Sequence, residues 1–129
     1  MIAWLMPFIS SNWSLPLFVS FIIVFLHYIK NIMKKPSEQI DLHAEAFLLD
    51  WENYSADELA NESMIYMRDM LDAAIYWDMP EIKFVHGKGK GVLKKMVYDE
   101  LSIYKNQGAI SHYHPAYHNE DIVIVVIGF

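Results

Sequence analysis

The chain has no cysteine, which excludes a disulfide scaffold and fits a reducing compartment. It has no internal repeat and no low-complexity tract. Its first 29 residues carry no charged side chain, and its first 35 carry no acid. The usual phosphate-loop patterns are also missing. No Gly-Lys is followed by Ser or Thr, so there is no Walker A loop, and Gly87, Gly89 and Gly91 are spaced by two, which is not GxGxxG. A basic excess is absent too. The net charge is −6, and because the first 35 residues contribute three lysines and no acid, the remainder stands at −9. A nucleic-acid binder normally shows a basic footprint. Any polyanion must therefore be drawn by a local field around Lys83, Lys88, Lys90, Lys94 and Lys95 rather than by net charge.

At 129 residues there is room for one domain plus an appendage. Residues 1–35 form the appendage, a hydrophobic N-terminal segment, and residues 36–129 form the domain. Residues 15–26 are almost wholly apolar, bracketed by Trp13 and Tyr28 and followed by Lys30, Lys34 and Lys35. Residues 13–33 have the length and hydropathy of a single N-terminal membrane span. The lysines on the C-terminal flank would place the domain on the cytoplasmic face. A competing expectation is that translation starts at Met33, which would remove the hydrophobic segment and leave a cytoplasmic protein.

The most informative stretch is residues 81–95, EIKFVHGKGKGVLKK. It reads as strand, glycine loop, helix. Such a junction points several backbone N–H groups and the positive end of a helix dipole at one place. His86 sits at its mouth, with Lys88, Lys90 and Lys94 around it. A phosphate site with a titratable neighbour is one reading; a tight strand-to-helix turn is the other.

Around this stretch the spacing predicts strands at 39–43, 81–86, 109–114 and 122–127. Ser55 and Glu58 form a capping box that starts a helix running to about Trp77. Its buried stripe is Leu59, Ser63, Met67, Leu71 and Ala74. A second helix runs from Val92 to about Lys105, with Leu93, Val97, Leu101 and Tyr104 on one face. Phe47, Leu48, Leu49 and Trp51 are expected to pack on the core, and IVIVVI at 122–127 to be buried on both faces. The order βαβαββ implies an α/β two-layer sandwich with a mixed four-stranded sheet. Ligands usually bind at the C-terminal ends of parallel strands. Asp41-Leu42-His43 ends the first strand and His86-Gly87 the second, so parallel pairing would bring both histidines to the glycine loop. Asp41 and His43 share a face of their strand, so Asp41 could orient a histidine. His112 and His114 also share a face and could geometrically bind a metal; Tyr113 and Tyr117 could stack bases or simply pack.

Together, IDLHA at 40–44 and FVHGKGKGVLKK at 84–95 resemble the small MutS-related (Smr) domain family, over residues 39–127. The resemblance implies the βαβαββ layout, shared with the similar C-terminal domain of the third translation initiation factor. It also implies a nucleic-acid partner, RNA or DNA, and an endonuclease acting on RNA or branched DNA. Asp41, His43 and His86 would then be catalytic, and Gly87, Lys88, Gly89, Lys90, Gly91 and Lys94 would bind the phosphate. The scheme requires no metal, and magnesium is the one candidate cofactor. Two departures stand out: Ala44 replaces the family's usual glycine, and the turn before the last strand is acidic, with Glu120 and Asp121 and no glycine. They favour the alternative of a non-catalytic adaptor binding RNA, the ribosome or a protein.

Overall fold

The computed structural model describes residues 14–89 and 91–129. The described residues divide into two units, one ending at Lys34 and the other spanning residues 35–129. Lys90 and Trp13 lie outside the described residues.

In the first unit, helix α1 spans Ser14–Ile32. Among the described residues no helix is long and apolar enough to cross a membrane. This overturns the span expected over 13–33 and, with it, the placement of the domain on a membrane face. The reason lies in the length of the apolar stretch. Residues 15–26 cover roughly 18 Å at the helical rise, against a hydrocarbon core of about 30 Å, and His27, Lys30 and Asn31 follow within the next turn and a half.

The second unit runs β1 (Gln39–Asp41), α2 (Ala44–Phe47), a 3-10 turn (Trp51–Asn53), α3 (Ala56–Tyr76), β2 (Glu81–Val85), α4 (Val92–Asn106), β3 (His112–Ala116) and β4 (Asn119–Val126). The four strands form one mixed sheet in the order β1-β2-β4-β3. β1 and β2 are parallel, with Ile40 opposite Phe84 and Asp41 opposite Val85. β4 is antiparallel to both β2 and β3. This is the expected α/β fold.

Helix α3 begins where its capping box requires. The Ser55 hydroxyl accepts from the Glu58 amide, and the Glu58 carboxylate accepts from the Ser55 amide. Ser63, Met67, Leu71 and Ala74 are buried on one stripe of α3, and Val97 and Leu101 on one of α4. The apolar side chains among them meet Ile40, Ile82, Phe84, Val123 and Val125 from the inner sheet face in a single core. A position of this kind contributes about 1.5–3 kcal/mol when fully buried.

Three local expectations are corrected. Strand β3 starts at His112, not at 109, because Ala109 N–H is taken by the Tyr104 carbonyl as the chain leaves α4. β3 is an edge strand, so Pro115 is tolerated there, at a register irregularity against β4. β4 is buried on one face only. Val123 and Val125 face the core, whereas Ile122, Ile124 and Val126 are half-buried on the face away from it. Of the expected core residues at 47–51, Phe47 stacks on Tyr66 at 4.2 Å. Leu49 is wholly exposed and Trp51 is 37% exposed, because α2 ends at Phe47 and the chain turns outward through the 3-10 turn.

Candidate functional site at the glycine loop

Parallel pairing of β1 and β2 brings the ends of both strands to one edge of the sheet. Leu42 N–H donates to the Val85 carbonyl at 3.0 Å, which fixes the chain just before His43. From α3, the buried Ser63 hydroxyl donates to the Leu42 carbonyl at 2.7 Å. Ser63 is legible in the sequence as one member of a buried stripe; its role in pinning the first motif is not. The signal available is a hydroxyl at a core position, which must find a partner.

Past that anchor the chain turns on Asp41. Its Oδ1 accepts from the His43 amide at 2.9 Å and from His43 Nδ1 at 2.6 Å. A carboxylate can only accept, so His43 carries its proton on Nδ1 and, when neutral, presents a lone pair at Nε2. That nitrogen lies over Gly87. A Cβ on Gly87 would collide with the His43 ring, with Cε1 at 2.8 Å and Nε2 nearer still. Gly87 also has φ of +80°, a left-handed conformation that side chains resist. Glycine is therefore required twice over at this position.

His86 occupies the other side of the junction. It is 4% exposed. Its amide and that of Gly87 both donate to the Asp121 carbonyl, at 2.9 and 3.2 Å, which ties the loop to the start of β4. Its Nδ1 is 3.0 Å from the Gly87 carbonyl and donates to it. The lone pair is thus on Nε2, which is buried and has no partner among the described residues. Burial lowers the His86 pKa; Lys94 and His43 push the same way, against the Gly87 carbonyl and Asp121. Its ring meets Tyr98 edge-on at 6.0 Å.

Gly91 caps α4 in a left-handed conformation and offers no side-chain hydrogen bond. The first amides of the helix are therefore left for a ligand or water. His43, His86, Gly87, Gly89 and Lys94 line a common cavity of about 230 Å³. Lys94 Nζ lies 5.8 Å above the Tyr98 ring, Lys88 is exposed, and Lys95 is paired with Asp99 at 2.7 Å. Asp41, His43, His86, Gly87, Lys88, Gly89, Gly91 and Lys94 thus converge on one edge of the sheet, while nothing is placed for Lys90.

Elsewhere, His112 and His114 stack at 5.7 Å on β3. Among the described residues no group of three or more potential metal ligands stands together. The two tyrosines separate: Tyr113 packs against the core, whereas Tyr117 is 92% exposed at the β3–β4 turn.

The profile of the Smr domain matches residues 57–127, more than half of the chain, and the chain belongs to that family. No curated protein matches it. Among solved structures, the crystal structure of the Smr domain of Thermus thermophilus MutS2 is similar, with a TM-score of 0.53 and 16% identity. The match covers 72% of this chain and all of that domain. At that identity the likeness speaks for the fold alone.

Proposed function

We propose that this Smr domain binds nucleic acid across its glycine loop and cleaves a phosphodiester there. The observation that carries the proposal is the pair of imidazoles on one cavity, with His43 held by Asp41 over Gly87 and His86 buried beside it. The loop amides and the dipole of α4 would hold a phosphate, and Lys88 and Lys94 would offset its charge. His43, oriented by Asp41 with Nε2 turned toward the loop, would protonate the leaving oxygen. His86, which lines the same cavity and carries its lone pair on the buried Nε2, would take the complementary role of accepting the proton of a nucleophile, a water or a ribose 2′-OH, once substrate binding uncovers that nitrogen. Each such group contributes roughly 10²–10⁴-fold. Among the described residues no carboxylate lines the cavity, and Asp41 is committed to His43. Magnesium therefore enters the proposal only as an ion carried by the substrate's phosphates.

A second reading, a binding module that does not cleave, draws on Asp121 and Glu120 beside the loop, which oppose a polyanion. Labelled single-stranded RNA, duplex DNA and branched DNA, each with and without magnesium, distinguish the two. Cleavage that His43→Ala removes supports the enzyme; binding without cleavage under every condition leaves the module.

A further inference from the structure

Lys88 and Lys94 border a second depression, of about 400 Å³, on the side of the glycine loop away from His43. That volume falls within the range of about 300–1,000 Å³ for small-molecule sites. Its far wall is the start of β4 and the turn before it, with His118, Glu120 and Asp121. The wall is fixed to the loop, because the Asp121 carbonyl receives the His86 and Gly87 amides. At the tip of the turn stands Tyr117, 92% exposed, its ring edge-on to His118 at 4.5 Å. Nothing in the core needs that ring, and an aromatic so exposed forfeits its burial energy.

The charges sort what this depression can take. Two carboxylates repel a phosphate, but they accept hydrogen bonds from an exocyclic amino group on a base. The lysines lie where the two depressions meet. We propose that the second depression receives an unpaired base next to the phosphate held at the loop, with Tyr117 as its stacking platform and Glu120 reading its amino edge. The inference rests on the nucleic-acid reading above and narrows it to single-stranded substrate. A base within a duplex has both its faces stacked and its amino edge paired, and cannot enter. The turn that departs from the family's pattern is thereby the element that selects substrate.

The experiment is fluorescence anisotropy of the full chain with oligo-rC, oligo-rU, oligo-dC, oligo-dT and a duplex. The ribo and deoxy arms report the sugar, and the C and U or T arms report the base edge. Single strands should bind more tightly than the duplex, and C more tightly than U or T, which lack the amino group. Tyr117→Ala should weaken single-strand binding by about 5- to 150-fold, the range of one base–aromatic stack, and leave duplex binding unchanged. Tyr117→Phe should restore it. Glu120→Gln should narrow the gap between C and U. Equal single-strand affinity in wild type and Tyr117→Ala, or a duplex bound as tightly as a single strand, overturns the inference. If Lys88→Ala weakens binding but Tyr117→Ala does not, the base site falls and the nucleic-acid reading stands. If wild type binds none of the five probes, both fall together.

Discussion

Gly87→Ala probes the contact between the two motifs. Two costs arise in the folded state. The first is conformational: a left-handed φ of +80° costs a non-glycine residue about 1–2 kcal/mol. The second is steric. The new methyl would occupy the space of the His43 ring, and that ring can retreat only by giving up the 2.6 Å bond to Asp41. The bond is exposed, which limits its worth to about 1 kcal/mol or less. The expected total is roughly 1.5–3 kcal/mol. In a domain of this size each kcal/mol lowers Tm by about 4–8 °C. The steric part should vanish in a His43→Ala background, leaving only the conformational part. Urea denaturation of wild type, both single variants and the double variant gives a coupling energy, expected at about 0.5–1 kcal/mol. The Nε2 resonance of His43 should also shift in Gly87→Ala. A coupling near zero with an unmoved His43 resonance would refute the placement of His43 over the loop.

Three further outcomes follow from the same geometry. Ser63→Ala removes the donor to the buried Leu42 carbonyl and should cost about 1–3 kcal/mol by chemical denaturation, with any activity reduced through the displaced His43. Lys88→Ala combined with Lys94→Ala should weaken polyanion binding, measured by anisotropy. The slope of log K against log salt should flatten by about 0.7–0.9 for each phosphate that is no longer neutralised. The His86 pKa is lowered by burial, so near its ordinary value of about 6.5 the unfolded chain binds more protons than the folded one. Its stabilisation is therefore complete above pH 6.5 and is lost as pH falls through the folded pKa. Urea midpoints taken between pH 7.5 and pH 5 should decline for wild type and decline less for His86→Gln.

Local signals in the sequence are legible because local physics decides them. The Ser55–Glu58 box, the helical stripes and the loop with its following helix need only residues close in the chain. The meeting of His43 with Gly87 follows from parallel pairing, since strand ends must share an edge. Features set by distant partners are not legible. Leu49 and Trp51 are apolar, but nothing in their own sequence shows that the chain turns outward after Phe47. IVIVVI reads as buried on both sides, yet the core covers Val123, Val125 and Ile127 and leaves Ile122, Ile124 and Val126 half-buried. In residues 109–111 the strand-like composition loses to the turn that closes α4. The segment 13–33 reads as a span when its flanks are counted with the apolar run, but the run itself, residues 15–26, is too short to cross. Tyr113 and Tyr117 are equivalent by composition, and only the bend at the β3–β4 turn sends one to the core and the other to solvent.

The most direct measurement is cleavage of labelled single-stranded RNA by wild type, His43→Ala and His86→Ala, with binding followed in the same samples. The account predicts cleavage by wild type, a loss of roughly 10²–10⁴-fold in each variant, and binding that persists because the loop amides and lysines remain. Cleavage that survives in both variants, or that disappears only together with binding, would contradict the assignment of proton transfer to these two histidines.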